Sequence, residues 1–73
     1  MLTIREITEQ IIEFQGYVKV QGITDYDEVI IYYEGEGTYG IPEEHLDREI
    51  TYIYPYDNGE QAAICIELKV EEE

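Results

Sequence analysis

The fold of this chain is decided by residues 14–21, Phe-Gln-Gly-Tyr-Val-Lys-Val-Gln, in which the spacing of apolar residues changes from a helical to a strand period. After Gly16, Val18 and Val20 alternate with polar residues, which places both on one face of a strand. Before Gly16, apolar side chains recur at helical spacing, at Ile4, Ile7, Ile11 and Phe14. The change of period predicts a helix followed directly by a strand.

The predicted helix spans Leu2 to Gly16 and has recognisable ends. Thr3 and Glu6 form a capping-box pattern, in which each side chain accepts the free backbone N–H of the other residue. Gly16 is suited to end the helix in a left-handed conformation.

Three further strands are predicted. Glu28–Glu34 is apolar on both faces for part of its length, which indicates a central strand or one covered by a second layer. Pro42–Leu46 has the composition of a helical turn, and Glu49–Tyr56 is the next strand. The last strand, Ala62–Val70, carries four apolar side chains on one side: Ile64, Ile66, Leu68 and Val70.

Asp57-Asn58-Gly59 predicts a hairpin between the last two strands, with two possible registers. In a two-residue loop Ile53 faces Ile64, and Tyr52 and Tyr54 form an exposed stripe. In a three-residue loop Ile50, Tyr52 and Tyr54 oppose Ile66, Ile64 and Ala62, and the tyrosines join the core. We favour the three-residue loop because it buries more apolar area.

These elements predict one small α+β domain over residues 1–73, with residues 71–73 as a solvated tail. The simplest assembly is one N-terminal helix packed on an antiparallel sheet of about four strands, joined by local connections.

The charge of the chain excludes several classes of function. Eighteen Asp and Glu stand against four Lys and Arg, for a net charge of -14. Nucleic acids and anionic membranes carry the same sign, so we expect no direct binding to either. The chain shows neither an apolar run of membrane-spanning length nor a signal-peptide pattern, and it has one cysteine. These features predict a cytoplasmic protein.

No pattern predicts an active site, a metal or a cofactor. His45 lies among Glu43, Glu44 and Asp47, but a single turn with one histidine cannot supply the geometry of a zinc site. Ser–His–Asp and Cys–His sites both need a histidine as the base, and His45 is the one histidine in the sequence. Cys65 lies within a strand without a basic neighbour and is expected to be inert. We therefore predict that the chain is not an enzyme.

The unusual feature is the combination of acid with tyrosine. The net charge is -14, and its magnitude exceeds the value of about 2 to 8 that is sufficient to keep a small domain soluble. Exposed tyrosines are common in protein-binding surfaces. The sequence predicts a partner-binding rim at the two ends of the second strand, formed by Asp25, Asp27, Glu28, Tyr32, Glu34, Glu36 and Tyr39. A competing rim joins the turn of Glu43, Glu44 and Asp47 to the Tyr52–Tyr56 strand.

The first half of the chain resembles small acidic proteins of phages and mobile elements, in outline the type II-A anti-CRISPR proteins. The resemblance rests on residues 2–7, Leu-Thr-Ile-Arg-Glu-Ile, on residues 17–22, and on an Asp-rich connection into residues 28–33. It implies an inhibitor whose acidic side chains occupy the DNA-binding channel of a CRISPR effector nuclease. The second half continues into a predicted hairpin where that family continues into helices, so no functional residue is carried over.

The sequence thus predicts a non-enzymatic acidic inhibitor that mimics nucleic acid and docks on the basic nucleic-acid site of a partner protein. The alternative is a small structural or accessory domain of a mobile element, acidic only for solubility and possibly homodimeric through a sheet edge. A nucleic-acid mimic should gather its carboxylates on one face, whereas a merely soluble domain should distribute them evenly.

Overall fold

The computed structural model describes residues 1–10, 16–57 and 59–70. Within these ranges lie one helix, α1, four strands, β1 to β4, and a short 3-10 turn. Ile11 and Phe14 of the predicted helix, Asn58 of the predicted hairpin turn and the predicted tail at 71–73 lie outside the described residues. The elements are α1 (Ile4–Gln10), β1 (Tyr17–Ile23), β2 (Val29–Glu36), the 3-10 turn (Glu43–His45), β3 (Ile50–Asp57) and β4 (Ala62–Leu68).

The start of α1 confirms one half of the predicted capping box. The backbone N–H of Glu6 donates to Oγ1 of Thr3 at 3.2 Å. The Glu6 carboxylate accepts the Thr3 hydroxyl, also at 3.2 Å, in place of the expected backbone N–H. A second free N–H of this first turn, that of Arg5, donates to the carbonyl of Leu46 at 3.0 Å. The helix is therefore capped partly by its own sequence and partly by a distant segment.

The predicted α+β class is confirmed, but the sheet is mixed and not antiparallel. Its strand order is β2-β1-β4-β3, with β1 and β4 parallel at the centre. Two antiparallel hairpins, β1–β2 and β3–β4, lie side by side through this central pair. Val18 pairs with Ile64 and Val20 with Ile66, so the two strands with the most regular apolar alternation share one buried face.

The prediction that the second strand is central is wrong, because β2 lies at an edge of the sheet. Its ladder with β1 shifts between the pairs Val20–Tyr33 and Gln21–Ile31, which leaves Tyr32 as an extra residue in a β-bulge. The extra residue exchanges the two faces of the sheet for the side chains that follow it. The apolar run on both faces therefore reflects this shift and exposure at the edge, and not burial on both sides.

The buried face of the sheet, here the core face, is covered by α1 and by residues 37–49. That segment crosses from the β2 edge to the β3 edge, and its Ile41 is buried while Leu46 packs against the core. The fully enclosed cluster consists of Ile4, Val18, Val20, Ile41, Ile66 and Leu68. Burial of Ile4, Ile7, Val18, Val20, Ile66 and Leu68 confirms the helix and strand faces that the sequence predicts.

Neither predicted hairpin register is observed, and the favoured one is wrong. Asp57 pairs with Ala62, so four residues, 58–61, join β3 to β4. A second ladder shift, between Ile50 and Tyr52, allows Ile50 to pair with Leu68 and Ile53 with Ile66 on the core face. Tyr52 and Tyr54 consequently lie on the opposite side of the sheet and do not join the core.

Candidate functional site

The side of the sheet opposite α1, here the open face, carries no helix or strand from the part of the chain that the structure describes. Along β1 it presents Tyr17, Lys19, Gln21 and Ile23. Along β3 and β4 it presents Tyr52, Tyr54, Tyr56, Ala63, Cys65 and Glu67. The exposed strand tyrosines Tyr52 and Tyr54 and the exposed aliphatic residues Ile23, Val29 and Ile31 all lie on the open face.

The bulge at Tyr32 determines which β2 side chains reach the open face. Four residues of β2 pair in turn with Ile23, Gln21, Lys19 and Tyr17, and these four are Val29, Ile31, Glu34 and Glu36. We call them the β2 row. Without the extra residue, Glu34 would share the face of Tyr32 and not that of Ile31. The row therefore reads aliphatic, aliphatic, acidic, acidic.

The aliphatic half of the β2 row is exposed. Val29 is 55% exposed and Ile31 is 51% exposed, and Ile23, the cross-strand partner of Val29, is also exposed. The sequence did not predict these residues as part of a site. The run of apolar residues at 29–33 predicts burial, whereas its first three positions are exposed.

The acidic half of the row is ordered by neighbours on β1. Tyr17 donates its hydroxyl proton to Oε2 of Glu34 at 2.6 Å, and Lys19 is the direct cross-strand partner of Glu34. The hydrogen bond to Glu34, with smaller effects of burial and of the carboxylate charge, raises the pKa of Tyr17 to about 12. Glu36 accepts from the amide of Gln61 at 3.4 Å.

The predicted carboxylates before β2 lie in a tight turn that Thr24 organises. Its Oγ1 accepts backbone N–H groups from Tyr26 and Glu28, both at 3.2 Å. Asp27 adopts a left-handed backbone with φ of 61°, a conformation that Asp tolerates better than most residues. Asp25, Asp27 and Glu28 thus precede the aliphatic end of the β2 row, and Glu34 and Glu36 form its other end.

Of the two predicted tyrosines, Tyr32 lies on the opposite side of the sheet from Glu34 and Glu36. Tyr32 is half-buried on the core side, with its ring 4.6 Å from that of His45 and 4.5 Å from the guanidinium carbon of Arg48. Its hydroxyl accepts from Arg48 at 3.2 Å. Tyr39 is 86% exposed in the segment that crosses the core face. Tyr52 and Tyr54, by contrast, lie on the open face itself.

The competing rim is divided between two sides of the molecule. The 3-10 turn belongs to the layer over the core face, where Arg5 contacts Asp47 at 2.8 Å and Glu43 at 3.4 Å. The Arg5 guanidinium lowers the pKa of Asp47. Because the side chains of Tyr52, Tyr54 and Tyr56 are on the open face, the turn and these tyrosines do not form one surface.

His45 contacts two neighbours through its ring nitrogens. Nδ1 lies 3.2 Å from a guanidinium nitrogen of Arg48. Nε2 faces Oε1 of Glu44 at 3.4 Å. Over the described ranges, no group of three or more His, Cys, Asp or Glu side chains is placed to hold a metal ion.

The centre of the open face is closely packed although none of the described elements covers it. Gln21 and Cys65 are buried, and the amide of Gln21 donates to the Tyr54 hydroxyl at 3.1 Å. Side-chain hydrogen bonding with Cys65, together with burial, raises the pKa of Tyr54 to about 12. Lys19 lies 5.5 Å from the centre of the Tyr56 ring. This packed centre lies beside the β2 row.

The described carboxylates are not confined to one face. One group lies over the core face, at Glu6, Glu9, Glu43, Glu44 and Asp47. Another lies on the open face, at Glu34, Glu36 and Glu67. Asp57 is the last residue of β3, and the rest are in the connections. No helix among the described residues is long and apolar enough to cross a membrane.

No protein-family model matches the chain, and neither a curated protein nor a solved structure is detectably similar to it. The fold and the site therefore define it only as an α+β protein with a four-stranded mixed sheet and an acidic, partly aliphatic edge.

Proposed function

We propose that this chain is a non-enzymatic inhibitor that docks on a positively charged surface of a partner protein and blocks its nucleic-acid site. The observation that supports this best is that three of the four Lys and Arg side chains contact groups within the molecule. Arg5 is paired with Asp47 and Glu43, while Arg48 and Lys19 lie against tyrosine rings. With a net charge of -14, a strongly negative potential extends around the molecule and favours a basic partner.

The proposed mechanism is steric and electrostatic. Opposite potentials steer the encounter and speed association, and the bound domain then covers the surface that nucleic acid would occupy. The resemblance of the first half of the chain to type II-A anti-CRISPR proteins makes a CRISPR effector nuclease one partner of this kind. No side chain has to react, which agrees with the prediction of a protein without an active site.

The proposal is tested by capturing partners from a lysate of the source cell at low salt and releasing them at high salt. The captured protein is then used to compare two variants with equal changes of net charge. The first carries Asp25→Lys, Asp27→Asn and Glu28→Lys; Asn at 27 keeps a residue that tolerates the φ of 61°. The matched control carries Glu9→Lys, Glu44→Gln and Glu49→Lys.

We expect the first variant to associate about tenfold more slowly at low salt and the control to change much less, because steering depends on charges near the contact. Circular dichroism checks that both are folded, since exposed turn carboxylates contribute little to stability. Unchanged association of both folded variants would overturn the proposal.

A second candidate, an accessory domain whose acidity serves solubility, is favoured by the spread of carboxylates over both sides of the sheet. For this candidate the two variants should behave alike, and capture at low salt should recover no basic protein. The same experiment therefore separates the two functions.

A further inference from the structure

We infer that the outer edge of β2 binds an extended segment of the partner protein as a fifth strand. The segment runs parallel to β2 and carries two aliphatic and then two basic side chains at alternate positions. This inference rests on the proposed function, from which it takes the basic character of the partner. It adds the place and the mode of binding.

The first argument is that β2 is an edge strand that another strand can pair with. β2 ends the sheet, so every second residue of it directs its backbone N–H and C=O away from β1. Such an edge is a template for another strand unless charge, proline or irregularity blocks it. The β3 edge contains Pro55 and a ladder shift between Ile50 and Tyr52. The Val29–Ile31 portion of β2 lies before its bulge and contains neither charge nor proline.

The second argument is the β2 row. An added strand places alternate side chains on the open face, directly beside Val29, Ile31, Glu34 and Glu36. Aliphatic partners would bury the exposed surface of Val29 and Ile31. Basic partners would meet Glu34 and Glu36, whose carboxylates are already oriented by Tyr17 and Gln61.

A second copy of this chain fits the edge poorly. Antiparallel pairing of two β2 strands along their full length sets Glu36 against Val29 and Glu34 against Ile31, which buries carboxylates on aliphatic side chains. The assembled pair would also carry twice the net charge of -14. Charge complementarity therefore selects a basic partner over a homodimer.

The probe is a synthetic peptide, Val-Thr-Ile-Thr-Arg-Thr-Arg-Thr, acetylated and amidated at its ends. Its control, Val-Thr-Ile-Thr-Thr-Arg-Thr-Arg, has the same composition and charge but places the arginines on the opposite strand face from the aliphatic residues. Two further versions of the probe carry N-methyl groups, either on the threonines or on the other residues. Successive N–H groups of a strand point to opposite edges, so one set faces β2 and the other faces away.

We expect the full-length protein to bind the probe more tightly than the control peptide, and one N-methylated version to lose binding while the other keeps it. The variant Val29→Thr/Ile31→Thr should bind the probe about tenfold more weakly, since Thr keeps β-propensity but removes apolar area. The matched variant Ile53→Thr, at a 42% exposed position on the other edge, should bind as the wild type. Thermal melting checks that each variant is folded.

Equal binding of probe and control peptide would overturn the inference, because the contact would then be purely electrostatic, and it would leave the proposed function standing. Binding of both N-methylated versions, or an equal loss in Ile53→Thr, would also overturn it. A wild-type dimer in sedimentation that Val29→Thr/Ile31→Thr makes monomeric would assign the edge to a second copy and overturn it as well. The proposed function fails separately, when no basic partner is captured.

Discussion

At the scale of single residues, a hydrogen bond of 2.6 Å joins Tyr17 of β1 to Glu34 of the β2 row. It raises the pKa of Tyr17 from 10.0 to about 12 because the neutral phenol donates to a carboxylate. The folded state therefore holds this proton more tightly than the unfolded chain. The resulting stabilisation is complete below about pH 10 and is lost as the pH rises towards about 12.

We predict that Glu34→Gln lowers the pKa of Tyr17 towards its ordinary value, measured by spectrophotometric titration of tyrosinate against the wild type. Glu36→Gln is the matched control: it removes the charge directly across from Tyr17, which is not a cause of the shift. Tyr54→Phe identifies the second late-titrating tyrosine, with a pKa of about 12. Identical titration curves for wild type and Glu34→Gln would contradict the assignment.

At the scale of elements, the end of β2 and the start of the crossing segment are held together by the Tyr33 ring. Its hydroxyl donates to the carbonyl of Gly37 at 3.0 Å. A Cβ added at Gly35 would lie 2.8 Å from the Tyr33 hydroxyl oxygen, and one at Gly40 would lie 2.9 Å from a ring carbon. Glycine at these two positions makes room for the Tyr33 ring, whose hydroxyl contacts the carbonyls of Glu36 and Gly37.

We predict that Gly35→Ala destabilises the fold by about 1–3 kcal/mol through overpacking, measured by urea denaturation. In a Tyr33→Leu background the same substitution should cost much less, because the ring that it meets is gone. A double-mutant cycle therefore isolates the contact. Equal costs in the two backgrounds would show that the loss arises elsewhere than at the ring.

At the scale of the whole molecule, a charge of -14 is confined to a body of 34 × 30 × 18 Å. The Debye length of about 30 Å at 0.01 M salt matches these dimensions, so every carboxylate senses the others. Around 0.1 M salt the Debye length falls to about 10 Å, so that only neighbouring charges still repel one another. Repulsion between the layer over the core face and the open face should then disappear.

We predict that the melting temperature rises by several degrees between about 0.01 M and about 0.5 M salt, in a scan followed by circular dichroism. The variant Glu9→Lys/Glu44→Gln/Glu49→Lys, with a smaller net charge, should show a smaller rise. A melting temperature that does not move with salt would mean that the carboxylates are too far apart to destabilise the fold.

Part of the structure follows from the sequence by itself, because local rules decide it. Thr3 caps α1 through the N–H of Glu6, three residues on. Val18 and Val20 share the buried face that strand alternation requires, and the turn after Pro42 forms where proline and acidic residues favour it. The placement of Asp25, Asp27 and Glu28 before β2, and of Glu34 and Glu36 in its last part, also follows from turn composition and strand length.

Only the tertiary structure decided the rest, because strand order and register depend on which apolar surfaces can share one face. Burying Val18 and Val20 with Ile64 and Ile66 required β1 and β4 to lie parallel at the centre, which moved β2 to the edge. The ladder shift in β2 then placed Tyr32 on the core side and Ile31 and Glu34 together on the open face. The separate shift in β3 placed both Ile50 and Ile53 on the core face. A shift of one residue exchanges the two faces of a strand, and no local pattern specifies where it occurs.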